Sequence, residues 1–220
     1  MTPRGTPATT DETRQQRARA VAHLRQADAV IARLIDSHPD FDPRGWLSEL
    51  PEMDAFGALI FQTIGQQLSL AATRRILGHL VELFDGRLPT PAQLLEADPE
   101  DLRRAGLSRR KVQTPHALAE RFDDGRLNLA ELQALPDDEV ETPLTEVPGV
   151  GSWTAHGFLI IALGRDDVVL PGDLPLRKAV MRAYTLDHLP SPDEMLAIAD
   201  AWRPYRTLAT SYLFASAFDG

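Results

Sequence analysis

Val21, Leu24, Ala27, Ile31, Leu34 and Ile35 recur three and four positions apart, the spacing that gathers side chains on one face of an α-helix. They predict a single amphipathic helix with that face buried. Asp54 precedes a second apolar stretch through Leu59, Ile60 and Ile64. A third runs from about Leu70, with Ile76, Leu77, Leu80, Val81 and Phe84 inward and Gly86 as its stop. Thr90-Pro91, Asp98-Pro99 and Ser191-Pro192 each set a capping side chain before a proline at the first helical position, where the missing N–H costs nothing. Glu194 completes a capping box with Ser191. Ser108 caps a helix toward Phe122, in which Pro115 predicts a kink or a division. Helices are also expected after Asn128 and Asp137, the second disturbed by Pro143. Further helices are expected from Trp153 to Leu163, Leu176 to Leu186 and Pro204 to Phe218.

No segment alternates as a half-buried strand must, and Val168 to Leu170 is too short to start a sheet. The fold class is therefore all-α, with about ten helices joined by short loops. Residues 1–15, polar and without an apolar period, read as a mobile tail.

Composition narrows the function. A chain of 220 residues with 43% apolar and 25% charged side chains is long enough for a proper core. It holds no cysteine, which rules out disulfides, thiolate metal sites and iron–sulfur clusters. No apolar run approaches a membrane span and no signal peptide is visible, so a cytoplasmic protein without membrane contact is expected. The net charge of -9 argues against a simple nucleic-acid binder. Its distribution is uneven, however: "RRAGLSRRK" carries Arg103, Arg104, Arg109, Arg110 and Lys111 with no acid among them. Such a run reads either as a solvated helix face or as a basic patch.

"TEVPGVGSWTAHGF" (145–158) breaks a helix with Pro148, Gly149 and Gly151 and restarts it at Trp153. Two close glycines turn the backbone tightly, and the helix that follows presents its partial positive N-terminus, which suits phosphate without much basic charge. A plain connector between helices is the other reading. Downstream, "DVVLPGDLPLRKAV" (167–180) runs through Pro171-Gly172 to Asp173 at the start of a helix, where a carboxylate serves as a cap or as a reactive group.

Hairpin, Trp153, extended segment and Asp173 together resemble the signature of the helix-hairpin-helix (HhH-GPD) DNA glycosylase superfamily, in its 3-methyladenine DNA glycosylase II branch. "FQTIGQQLSLAATRRI" (61–76), "LRRAGLSRRKVQTPHALAE" (102–120) and "WRPYRTLATSYLF" (202–214) fall in family order, so the resemblance spans roughly residues 50–218. It implies two helical subdomains with the active site in the cleft between them: residues 16–50 plus 168–220, and residues 51–167 carrying the hairpin. Members that also cleave the strand have a lysine where this chain has Trp153, and the branch with a cluster needs cysteines this chain lacks. Gly157 and Leu174 stand where the best-known relatives often have aromatics, which implies a wider or less aromatic pocket.

The resemblance implies excision of alkylated bases from duplex DNA by base flipping and hydrolysis of the N-glycosidic bond, without strand cleavage. The alternatives are a non-catalytic DNA-binding module and a glycosylase for other damaged purines. Asp173 is the implied catalytic carboxylate. Trp153 and Phe214 match pocket aromatics and Phe61 adds a wall, although aromatics at helical spacing also serve as core. Gln67 matches the plug that fills the gap in the duplex, with Leu68 as its substitute; both also read as ordinary helix-end residues. Gly149, Gly151 and Thr154 would grip phosphate, with Arg109, Arg110 and Lys111 adding charge. His156 is expected to face solvent or a groove. No cofactor and no catalytic metal is implied. A monovalent cation at the hairpin carbonyls near Val147 and Val150 is. The expected partner is damaged double-stranded DNA, bound by a monomer.

Overall fold

The computed structural model describes residues 11–218. These form thirteen α-helices and two short 3-10 turns, with no strand among the described residues. None of the described helices is long and apolar enough to cross a membrane. The chain divides into two compact units, Met1–Ser48 with Asp166–Gly220, and Glu49–Arg165.

The terminal unit contains α1 (Asp11–Ala27), α2 (Ala29–Ser37), α11 (Leu174–Ala183), α12 (Pro192–Ala199) and α13 (Arg206–Phe218). Helix α1 starts inside the segment expected to be a tail; the first ten residues of that segment lie outside the described ones. The single helix expected through Val21 and Ile35 is two helices, because Asp28 leaves the helical region at φ -147° and caps α2 by accepting from the amides of Val30 and Ile31. Leu24, Ile31 and Ile35 are buried as the spacing required, whereas Ala27, at the break, is exposed.

The other oxygen of Asp28 ties distant parts of this unit together. It accepts from Tyr184 Oη at 2.5 Å and from Trp202 Nε1 at 3.0 Å. Burial raises the Asp28 pKa, but the bonds from Tyr184, Ile31, Trp202 and Val30 outweigh it and hold the carboxyl below its ordinary range. Burial, and then the Asp28 carboxylate, push the Tyr184 phenol well above its usual range, so it stays a donor. Trp202, fully buried, anchors a core with Leu24, Ile31, Leu176, Val180, Met195 and Leu213.

The internal unit holds α3 (Ala55–Gly65), α4 (Leu70–Leu83), α5 (Pro91–Glu96), α6 (Pro99–Arg104), α7 (Arg109–Asp123), α8 (Leu129–Ala134), α9 (Asp137–Thr145) and α10 (Ser152–Ile161). The caps read from the sequence are present at Asp54, Thr90, Asp98, Ser108 and Asn128. Pro115, however, neither kinks α7 into two helices nor ends it. An interior proline costs about 3 kcal/mol, and here Val112, Pro115, Leu118 and Ala119 are all buried on the face packed against α3 and α5. Burial of that face outweighs the lost hydrogen bond. Helix α3 lies at the centre of the unit, buried from Phe56 to Ile64.

Candidate functional site

The internal unit turns its hairpin between α9 and α10. Gly149 sits at φ +89°, where an L side chain is strained, and a Cβ there would come within 2.1 Å of Thr114 Oγ1 on α7. Gly151 precedes α10 and offers no capping side chain, so the positive end of α10 is left without a side-chain acceptor. The hairpin is held from α3: Gln66 Nε2 donates to the Gly149 carbonyl and to Thr154 Oγ1, both at 3.0 Å.

Helix α3 is finished by a side chain from α7. Lys111 Nζ donates to the carbonyls of Ile64 and Gln66, the latter at 2.8 Å, which satisfies acceptors that a helix C-terminus otherwise leaves open. Burial pushes the Lys111 ammonium below its ordinary pKa range. The next residue, Gln67, adopts φ +59°, a left-handed conformation that a non-glycine residue holds only where its surroundings enforce it. Gln67 and Leu68 are exposed at this tip, Leu68 at 38% and Trp153 at 37%.

In the terminal unit, Leu170, Pro171 and Gly172 deliver Asp173 to the start of α11, and its amide donates to Leu170 O at 3.1 Å. Asp173 Oδ1 accepts from the Leu176 amide at 2.8 Å, so the backbone sets the carboxylate's direction. Leu174 beside it is 46% exposed. The carboxylate of Asp167, earlier in the same loop, is engaged by Arg206 Nε at 2.7 Å and Arg203 Nη1 at 2.8 Å.

Several expected site residues are enclosed or already engaged within their own unit. Thr154, expected beside DNA phosphate, is 1% exposed and its hydroxyl is held by Gln66. Lys111, grouped with the basic run, has its ammonium committed to α3, whereas Arg109 and Arg110 are exposed. Phe61 is buried at 8%, and Phe214 is partly buried against the terminal core. His156 is partly exposed, and its Nε2 lies 3.1 Å from Glu141 Oε2. Val147 O accepts the turn bond from Val150 N at 3.0 Å; a carbonyl has a second lone pair, so this turn remains compatible with a hard monovalent cation. Sequence reasoning missed Gln66. Its signal was a polar residue at the end of an otherwise apolar helix, four positions after another glutamine, Gln62.

The model of the HhH-GPD superfamily base excision DNA repair proteins matches residues 62–204. The chain belongs to this family. The match runs from Gln62 on α3 through hairpin and aspartate loop to the residue after Arg203, so it takes in Gln66, Gly149, Trp153 and Asp173.

Other members of the HhH-GPD family are similar over most of the chain. DNA-3-methyladenine glycosylase 1 of Schizosaccharomyces pombe is 28% identical over 89% of this chain and 86% of its own length. The longer relative YfjP of Bacillus subtilis is 31% identical over 72% of this chain, which spans only 56% of that relative. Among solved structures, the S. pombe 3-methyladenine DNA glycosylase in complex with abasic DNA superposes with a TM-score of 0.82 at 28% identity, covering 90% of this chain and 96% of that one.

Proposed function

We propose that this protein is a monofunctional DNA glycosylase of the type II 3-methyladenine class, which removes alkylated bases from duplex DNA and leaves an abasic site. The observation that carries this reading is Asp173, a carboxylate aimed by the Leu176 amide at the head of α11, in a chain that has Trp153 where a strand-cleaving relative has its lysine.

A base inside a duplex is out of reach, so the nucleotide must rotate out and the gap must be filled. Gln67, held in the left-handed region at the exposed tip after α3, is suited to that insertion, with Leu68 beside it. The N-terminus of α10 and the hairpin amides at Gly149 and Gly151 grip the backbone phosphate, which is how a chain of net charge -9 holds DNA. Arg109 and Arg110 add long-range attraction. A monovalent cation held at the Val147 and Val150 carbonyls would neutralise part of the same phosphate.

An alkylated purine carries positive charge, and the indole of Trp153, 37% exposed, attracts it more strongly than a neutral base. Cleavage of the glycosidic bond leaves positive charge at the anomeric carbon, and the fixed Asp173 carboxylate stabilises that oxocarbenium-like state and orients the incoming water. A cationic base leaves without protonation, so no general acid is needed. With no lysine at position 153, no amine is offered to the sugar for a covalent adduct, and the strand stays intact.

The test is base release from methylated duplex DNA by the parent and by Asp173→Asn. Asparagine caps a helix as well as aspartate does, so the variant keeps α11. We expect the parent to release 3-methyladenine and to leave alkali-labile, uncut strands, and the variant to bind DNA without release. A parent that binds methylated DNA and releases no base overturns the reading.

A further inference from the structure

Gln62 occupies an unusual place in the internal unit. It is 4% exposed, one turn before the Gln66 C-cap of α3; its amide forms no hydrogen bond among the described residues, yet its polar atoms are not fully shut from solvent. Its neighbour Thr63, equally buried, is satisfied by the carbonyls of Leu59 and Ile60 at 3.0 Å. The Gln62 amide instead lies against Gly157 on α10. A Cβ at Gly157 would stand 2.4 Å from its carbon and nitrogen and 2.6 Å from its oxygen, so the glycine is what admits the amide. Gly157 follows Trp153 by one turn and shares its face of α10.

Amides in largely buried side chains usually find a protein partner, and one that has none while its polar atoms still reach solvent is available to a bound ligand. We infer that Gln62 is a specificity-determining residue that reads the edge of the flipped base, an inference that rests on the glycosylase reading above. An amide offers one donor face and one acceptor side by side, which matches the N6 donor and N7 acceptor of adenine. On 3-methyladenine both remain, since the methyl group is on N3. Guanine shows two acceptors, O6 and N7, on the same edge, so the amide satisfies one and sets its own oxygen against the other. Trp153 supplies the sequence-tolerant attraction to positive charge, and Gln62 supplies preference for adenine. A larger side chain at position 157 would displace the amide and leave the stacking surface alone to choose.

The experiment measures single-turnover release of 3-methyladenine and 3-methylguanine from one sample of methylated duplex DNA, with thermal unfolding of each protein recorded beside it. The two bases share alkylation site and charge and differ at the edge Gln62 would read. For Gln62→Leu we expect the rate for 3-methyladenine to fall roughly 10- to 100-fold, the worth of a bidentate pair, with 3-methylguanine little changed and Tm equal or higher. Gly157→Ala, which leaves the amide in the chain but pushes it aside, should produce the same selective loss. Rates that fall together for both bases, or for neither, in folded variants would overturn the inference while leaving the glycosylase intact. A parent inactive on both bases would overturn the glycosylase reading itself, and the edge-reading role with it.

Discussion

Gln66, the C-cap of α3, reaches the Gly149 carbonyl in the hairpin at 3.0 Å, a bond between residues far apart in sequence that fixes where the hairpin amides stand. The turn it holds has no room for a side chain, because Thr114 lies directly beneath Gly149. Gly149→Ala combines left-handed strain of about 1 kcal/mol with overpacking of about 1–3 kcal/mol. At this chain length we expect Tm to fall by roughly 4–15 °C and DNA affinity to fall equally for damaged and undamaged duplex. Calorimetry and titration of both duplexes check this; unchanged Tm would mean that the hairpin does not press on α7.

Lys111 and its neighbours Arg109 and Arg110 should separate by salt dependence. Each phosphate contact contributes nearly one unit to the slope of log affinity against log salt. Arg109→Ala and Arg110→Ala are expected to lower that slope, by about one unit for each residue that meets a phosphate. Lys111→Met should leave the slope as it is, because the ammonium is spent on the Ile64 and Gln66 carbonyls. It should instead lower Tm and weaken base release through a loosened Gln67. A lower slope for Lys111→Met would restore it to the DNA-binding surface.

Asp28 predicts an acid-sensitive terminal unit. Its folded pKa lies below the ordinary 3.8, so its contribution is fully present above that value and is lost as pH falls through the folded pKa. Asp28→Asn cannot serve the α2 cap and the Tyr184 and Trp202 donors together, and should cost about 2–3 kcal/mol at neutral pH. The Tm gap between parent and variant should narrow as pH falls below 3.8. Glu194, held at about 2 chiefly by its bond to the Ser191 amide in the capping box, titrates in the same window in both proteins and drops out of the difference. A gap constant with pH would count against a charged Asp28.

What local chemistry controls was legible along the chain. Thr90 with Gln93 and Ser191 with Glu194 form capping boxes because cap and amide lie within one turn of each other, and periodicity marked most of the helices for the same reason. Asp173 was singled out as a possible cap and does cap α11, a contact that spans three residues. The rest depended on partners that sequence neighbours cannot supply. Pro115 stays within a helix because α3 and α5 cover it. The break at Asp28 is held by Tyr184 and Trp202, more than 150 positions away. Lys111 and Thr154 turn from expected DNA contacts into internal fastenings, and Gln62 gains its meaning from Gly157. In each case the deciding term is burial or a hydrogen bond formed only when distant segments pack, and that free energy has no signature in the spacing of residues along one helix.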